Sequence, residues 1–330
     1  MCLVFCELGT LSYKGLPSYQ LILNSQFLIG KDYICERFKI MSILVHKILD
    51  FVGHQQAVYS IALLSNQNSF VSSGGDGFLV KWPLNSPEGV LIAKHNEPIY
   101  CVSANQSFVF TGSSNGNLSV FDIESNHLVK KIKLDANALF DIVFFEDKVL
   151  VATFSGKIMV LNSEFEIEQT VALSGKSIRK IKVIESGFIA VGSEPAVWRL
   201  SKNFELVEKY THFNQSVFAI DYLEKQRTII CGGRDAVLEI INKEHETESI
   251  KAHLLHINDI CLNDEKTMFL TASMDKTIKL WNSENFELLK VINSEKNGGH
   301  RSSVNKILWF DKNKFISCSD DKAIKSFEIL

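Results

Sequence analysis

The chain lacks any uninterrupted run of about 18 apolar residues, the length that a membrane-spanning helix needs, so we expect no membrane contact. It also has little net charge, because 35 Lys and Arg stand against 38 Asp and Glu, which leaves −3. Nothing therefore steers the whole molecule towards nucleic acid. Hydrophobic residues, in contrast, make up 46% of the chain, which is ample for the core of one large domain.

The seven cysteines contain no Cys-x-x-Cys pair. Four of them lie in segments with the pattern of strands: Cys101, Cys231, Cys261 and Cys318. We therefore predict buried free thiols in a reducing compartment, which favours a cytoplasmic location. No metal ligands and no cofactor are predicted.

Two distant segments repeat one pattern of residues. The first contains His54, Ser72, Asp76 and Trp82, and the second contains His253, Thr271, Asp275 and Trp281. In both, the hydroxyl residue follows the His by 18 positions, the Asp by 22 and the Trp by 28. The sequence TASMDKTIKLWN (271–282) resembles the WD40 repeat, in which a Gly-His pair opens a four-stranded blade and a Trp-Asp pair closes its third strand. A period of about 40 residues is typical of a propeller.

The repeat can be followed along the chain in seven units. Their anchors are His54, His95, the neighbourhoods of Asn137 and Lys176, His212, His253 and His300. Each unit has alternating apolar runs separated by polar turns, a pattern that indicates strands. The last two anchors are 47 residues apart, and the additional residues fall in 293–299, which we interpret as a longer surface loop. The sequence thus predicts an all-β, seven-bladed WD40-type propeller with four antiparallel strands in each blade.

Ring closure needs one more strand, because the seventh unit ends with its third strand at Ile324–Phe327. A strand at about 43–51 should supply it and leave few exposed edges. This assigns residues 41–330 to a single propeller domain. Residues 1–40 match no blade, and we expect translation to begin at Met41, with a genuine extra N-terminal segment as the alternative.

The His, Asp and hydroxyl residues invite comparison with a catalytic triad. The resemblance to WD40 repeats implies a structural network instead, in which the Asp binds the His, the His contacts the hydroxyl, and the hydroxyl reaches the Trp indole. An active site needs one such set, whereas a structural network recurs from blade to blade. We therefore predict no catalytic residues and no enzymatic activity. Partial versions of the set occur in the second, fifth and seventh units.

The resemblance also implies that three positions in each blade face the narrow top surface, where partners of WD40 propellers commonly bind. Two of them lie three and five residues after the His, and the third precedes the turn Asp. The second of these positions holds Tyr59, Tyr100, Phe140, Arg179, Phe218, Asn258 and Asn305. This alignment allows one inserted residue in blade five and places blades three and four by their apolar pattern. The position before the turn Asp holds Gly75, Ser114, Phe154, Ser193, Arg234, Met274 and Asp320. Aromatic, Arg and Met side chains are typical of binding hot spots. The predicted partner-binding residues are Tyr59, Tyr100, Phe140, Phe154, Arg179, Phe218, Arg234 and Met274.

The predicted function is a protein-interaction scaffold whose partner the sequence does not name. The alternative for the aromatic residues is that they lean inward and cap the channel. The alternative function is a propeller enzyme or small-molecule binder with its site at the channel mouth, although Asp320 is the only carboxylate at these positions. Nucleic-acid binding would depend on Lys176, Arg179, Lys180 and Lys182, which all lie in one blade.

Overall fold

The computed structural model describes residues 43–65 and 68–330, and these residues form seven four-stranded antiparallel sheets. The predicted propeller with four strands per blade is confirmed. The segment 1–40 and Met41 lie outside the described residues, so the proposed start of the domain stays a prediction.

The first four blades follow one another along the chain, each from its innermost to its outermost strand. Blade one contains β2 (Val58–Leu63), β3 (Ser69–Gly74), β4 (Phe78–Pro83) and β5 (Val90–Lys94). Blade two contains β6 (Ile99–Ala104), β7 (Phe108–Ser113), β8 (Asn117–Asp122) and β9 (Leu128–Lys133). Blade three contains β10 (Leu139–Phe145), β11 (Lys148–Thr153), β12 (Lys157–Leu161) and β13 (Ile167–Ala172). Blade four contains β14 (Ile178–Ile184), β15 (Gly187–Gly192), β16 (Val197–Ser201) and β17 (Leu206–Tyr210).

The remaining three blades continue in the same order. Blade five contains β18 (Val217–Leu223), β19 (Thr228–Gly233), β20 (Val237–Ile241) and β21 (Thr247–Lys251). Blade six contains β22 (Ile257–Leu262), β23 (Met268–Ser273), β24 (Ile278–Asn282) and β25 (Leu288–Ile292). Blade seven contains β26 (Val304–Asp311), β27 (Lys314–Ser319) and β28 (Ala323–Ile329), and β1 (Val45–Val52) is its outermost strand.

The closing strand pairs as the sequence predicts, although it begins two residues later and ends one residue later than expected. β1 runs antiparallel to β28, with Val45 opposite Ile329 and Val52 opposite Ala323. Phe51 is buried, and its ring lies 5.0 Å from that of Phe70 in blade one. The closing strand therefore contributes to the core between blades seven and one as well as to a sheet.

The hydrophobic core lies between neighbouring blades. Apolar residues on alternating positions of one sheet pack against those of the next, as period-2 strands in stacked sheets require. Leu270 and Ile278 of blade six, for example, share one cluster with Val304 and Ile307 of blade seven. Each blade is thereby held in place by both of its neighbours.

The loop between blades six and seven contains a short element of regular structure. The predicted surface loop at 293–299 contains one helical turn, α1 (Ser294–Asn297), and Asn297 Nδ2 donates to the Val45 carbonyl at 3.3 Å. The helical turn is capped by Asn293, and Asn297 holds the segment against β1. With four residues, α1 is far too short to cross a bilayer, and the described part of the chain has no longer helix.

Candidate functional site

The paired residues of blades one and six form two hydrogen-bond networks of the same geometry. His54 Nδ1 lies 3.0 Å from Asp76 Oδ2, and His54 Nε2 lies 2.7 Å from Ser72 Oγ. Trp82 Nε1 donates to Ser72 Oγ at 2.8 Å. The Asp76 carboxylate also accepts the backbone N–H groups of Gln55 and Phe78, at 2.7 and 3.0 Å. The network therefore joins the loop before β2 to β3 and β4.

In blade six, His253 lies 2.9 Å from Asp275 Oδ2 and 2.7 Å from Thr271 Oγ1, which accepts the Trp281 indole N–H at 3.0 Å. Burial lowers the pKa of His54 and of His253, even though each faces a carboxylate. A neutral imidazole with its proton on Nδ1 fits both neighbours, because the hydroxyl then donates to Nε2. Ser72 and Thr271 are completely buried, so neither hydroxyl could reach a substrate.

The other blades have only parts of this network. His300 of blade seven binds Asp321 at 3.0 Å and Ser317 at 2.9 Å, and Phe327 takes the place of the Trp. His95 of blade two packs edge-on against Phe121, and its buried Nε2 has no hydrogen-bond partner among the described residues. His212 of blade five is exposed and stacks on Phe213.

A β-bulge recurs at the same place in all seven innermost strands. In β2, Val58 pairs with Gly74 and Ser60 with Ser73, so the pairing passes over Tyr59. The corresponding strands pass over Tyr100, Phe140, Arg179, Phe218, Asn258 and Asn305. A bulge leaves one residue out of the ladder and redirects its side chain. These are the seven residues that the sequence alignment of the blades assigns to one equivalent top-face position.

The structure brings these seven side chains together around one cavity of about 710 Å³. Its lining also includes Ser114, Asn137, Ala138 and Phe154. Two of the predicted partner-binding residues, Arg234 and Met274, are exposed and do not contribute to this lining. The seven bulge residues themselves are half-buried rather than exposed.

Five of the bulge residues form a continuous arc of ring contacts, which we call the aromatic arc: Tyr59, Tyr100, Phe140, Arg179 and Phe218. The Tyr59 and Tyr100 rings meet edge to face at 5.3 Å, and Tyr100 stacks on Phe140 at 5.9 Å with an angle of 5°. The Arg179 guanidinium lies 3.8 Å from the centre of the Phe140 ring and 5.9 Å from that of Phe218. Such cation–π contacts continue the arc where the aromatic sequence is interrupted.

Asparagines occupy the other two bulges and bind to neighbouring blades. Asn258 Nδ2 donates to the Val304 carbonyl at 2.9 Å, and Asn305 Nδ2 donates to the Val58 carbonyl at 2.9 Å. Asn305 Nδ2 also binds Asp320 at 2.8 Å. These contacts close the rim of the cavity opposite the arc.

The described lining of the cavity has few side chains that could take part in acid–base catalysis. Among the described residues that line it, Arg179 is the one charged side chain, and no carboxylate or His is present. Burial, together with Tyr100 and Asp320, raises the pKa of Tyr59, so its hydroxyl stays protonated. General acid–base chemistry needs groups that exchange protons near neutral pH, and the lining offers none.

Sequence reasoning missed a set of charged residues next to the bulges. Asp141 and Asp259 directly follow bulge residues, and their carboxylates accept the N–H groups of Ile181 and Ile307 in the following blades at 2.9 and 3.1 Å. Ser60 makes the equivalent bond to Val102 at 3.1 Å. The sequence pattern that could have revealed them is a short polar side chain directly after the bulge residue, which recurs in three innermost strands. Its visible role is to connect blades.

A second cavity, of about 300 Å³, lies between blades four and five and was not predicted. At its wall Glu208 accepts the Tyr210 hydroxyl at 2.6 Å and Arg199 Nε at 3.0 Å, and it lies 2.9 Å from His245 Nδ1. The Glu208 carboxylate therefore already has partners within the protein. The cavity lined by the seven bulge residues is therefore the better candidate for a binding site.

The described residues thus form a seven-bladed propeller that contains buried His–Asp–hydroxyl networks. The WD40 family (WD domain, G-beta repeat) matches it at residues 45–82, 86–122, 245–282 and 290–328. The chain is a WD40-repeat protein. The matched segments contain the networks of His54, His253 and His300, while the unmatched middle corresponds to blades three to five.

Several known proteins are similar to this chain at low identity. The striatin homolog of Dictyostelium discoideum is 22% identical over 260 residues, which cover 66% of this chain and 31% of the relative. Eukaryotic translation initiation factor 3 subunit I of Anopheles gambiae is 23% identical over 255 residues, which cover 76% of this chain and 71% of the relative. Protein HIR1 of Eremothecium gossypii is 25% identical over 169 residues, and the match spans 20% of its length.

Proposed function

We propose that this chain is a non-enzymatic protein-interaction scaffold and that the cavity bordered by the aromatic arc binds a protein partner. The observation that carries the proposal is the contact of five bulge side chains from five consecutive blades around one cavity. Rigid rings lose little conformational entropy on binding, and aromatic and Arg side chains dominate interface energies. One similar protein is named as a subunit of a larger factor, which agrees with a role inside an assembly.

A cytoplasmic location is part of the proposal. The four cysteines in the described part of the chain are free thiols, and three of them are buried. Such thiols persist in a reducing compartment. The basic cluster of blade four offers little to nucleic acid, because Lys180 and Lys182 are paired with Asp259 and Asp221 inside the ring.

The test is a double substitution of Tyr59 and Tyr100 to Ala, with partners captured on the intact chain and identified by mass spectrometry. We expect the affinity for the captured partner to fall by about 2 kcal/mol or more, as for hot-spot residues. The matched control is Leu206→Ala with Val207→Ala, two exposed apolar residues of an outermost strand. The control should bind like the unaltered chain.

Thermal unfolding separates the two roles of the aromatic residues. A double variant that keeps its melting temperature and its partner would refute the binding role of the cavity. A double variant that melts several degrees early would show that the two tyrosines fill the channel mouth for stability, which is the alternative reading of these residues.

A further inference from the structure

Arg179 is a cation without a counter-ion. Its Nε donates to Ser177 Oγ at 3.2 Å, and its guanidinium lies between the Phe140 and Phe218 rings. No carboxylate and no other acceptor among residues 43–65 and 68–330 lies within bonding distance of its two terminal nitrogens. The guanidinium has five N–H donors, so four of them are available to a ligand.

The neighbouring cations on the same strand, in contrast to Arg179, each have a carboxylate partner. Lys180 Nζ lies 2.9 Å from Asp259 and Lys182 Nζ lies 2.6 Å from Asp221. Burial lowers the pKa of Arg179, which expresses the cost of holding an uncompensated charge among aromatic rings. A half-buried cation is stabilised when a partner supplies the missing anion, and Arg179 lines the cavity where that partner would bind.

We propose, on the basis of the proposed function, that the cavity takes an acidic peptide segment of a protein partner, and that Arg179 binds a Glu or Asp carboxylate of this segment. A carboxylate matches the planar fork of one guanidinium through two parallel hydrogen bonds. Apolar residues beside the acid would pack on the arc and on Phe154, whose side chain is 47% exposed.

Two other ligand chemistries fit less well. A phosphorylated residue carries nearly two negative charges and is typically bound by several Arg side chains, whereas Arg179 is the one charged group among the described residues of the lining. A Lys or methylated Lys would need the space between aromatic rings, and Arg179 already fills that space between Phe140 and Phe218 with a like charge.

The experiment selects phage-displayed random dodecapeptides on the intact chain and then measures one selected peptide by fluorescence anisotropy. We expect enriched peptides to carry Glu or Asp next to apolar residues. The acidic residue of the chosen peptide is then changed to its amide and to phosphoserine. The unaltered chain should bind the acid about tenfold more tightly than the amide, the size of one charge-assisted hydrogen bond.

Variants assign the preference to one residue. Arg179→Met keeps an adaptable side chain between the rings and should bind acid and amide equally. The matched control is Lys176→Met, which removes an exposed charge from the same blade outside the lining and should keep the preference. If Arg179→Met unfolds, the comparison of acid, amide and phosphoserine on the unaltered chain still decides the ligand.

The outcomes distinguish the inference from the proposed function. The inference would be overturned if binding of the selected peptides depended on Tyr59 and Tyr100 but the peptides contained no acidic residue. A preference of the chain for the phosphoserine peptide or for Lys-containing peptides would also overturn it. Either result would leave the scaffold role standing. Peptide binding that is unaffected by substitution of Tyr59, Tyr100 and Arg179, or a selection that enriches no peptide, would count against both the inference and the proposed function.

Discussion

Lys180 Nζ lies 2.9 Å from Asp259 Oδ1, although blade five separates the blades that carry these two residues. The equivalent position of blade five is the buried Ala219, which carries no polar group that could intervene. The other oxygen of Asp259 accepts the Ile307 N–H of blade seven at 3.1 Å. One carboxylate therefore connects blades four, six and seven near the axis of the ring.

Asp259→Asn should destabilise the ring strongly. Burial alone would lower the pKa of Lys180, but Asp259 and Asp141 outweigh it and hold that pKa above its ordinary value. Removing Asp259 takes away the ion pair of the buried Lys180 and leaves the charge of Asp141 beyond ion-pair distance, at a cost of about 3 kcal/mol. The free energy of unfolding from denaturant titration is the measurement. Glu265→Gln, which breaks the exposed pair with Lys312, should change the free energy of unfolding little, and equal losses would contradict the account.

Asp275→Ala should destabilise blade six by about 1–3 kcal/mol, the usual cost of an orphaned buried polar group. The variant removes the partner of the buried His253 and of the Leu254 N–H, which lie 2.9 and 3.0 Å from Oδ2. Asp264→Ala changes an exposed Asp of the same blade and should have little effect. Similar unfolding energies for the two variants would show that the network contributes nothing.

Acid should unfold the chain in a range set by buried histidines and carboxylates. Burial would raise the pKa of Asp321, but the hydrogen bond and charge of His300, together with the N–H groups of Arg301 and Ala323, outweigh it and lower the pKa to about 2. The unfolded Asp, with a pKa near 3.9, binds more protons, so about 2 kcal/mol of stability is lost as the pH falls from about 4 to 2.

The lowered pKa values of His54 and His253 act in the same direction, starting below about pH 6.5. Melting temperatures between pH 7.5 and 3 test both ranges. Asp321→Asn should flatten the lower range, whereas Asp264→Asn should leave the profile unchanged. A melting temperature that stays constant down to pH 4 would refute the contribution of the histidines.

Phe51→Ala should cost about 3–5 kcal/mol, the range for emptying a buried Phe site. The ring is 1% exposed and contacts both Phe70 and Trp82. Ile48→Ala, on the same strand but 41% exposed, is the matched control and should change stability little. Denaturant titration of both variants checks this, and a loss at Ile48 as large as at Phe51 would mean that strand pairing rather than core packing determines the effect.

The sequence predicted the fold almost completely because its repeat is periodic at two scales. The His spacing located the units, and the alternation of apolar residues located the strands within them. Even blades three and four, which lack the His, have their innermost strands beginning at Leu139 and Ile178, one residue before Phe140 and Arg179. Packing between sheets requires the apolar alternation, so it survives where the polar network is lost.

The chemistry of the candidate site was less predictable. The sequence gives no sign of the bulge that redirects Tyr59 and its equivalents, because a bulge is a property of pairing between two strands. The ion pair between Lys180 and Asp259 joins residues 79 positions apart, and only the closed ring brings them together. Periodicity locates equivalent positions in sequence, whereas contacts across the ring depend on how the blades are arranged around its axis.

The closing strand also fixes the order in which the molecule can be completed. Leu49 of β1 and Ser326 of β28 are hydrogen-bonded across 277 residues, so β1 leaves the ribosome long before its partner strand is made. Throughout that interval the backbone groups of β1 form an open edge, which is the kind of surface that pairs with other chains. The strand made first among the blades is thus the last to be paired, and premature termination anywhere before β28 would release a chain in which β1 remains an unpaired, aggregation-prone edge.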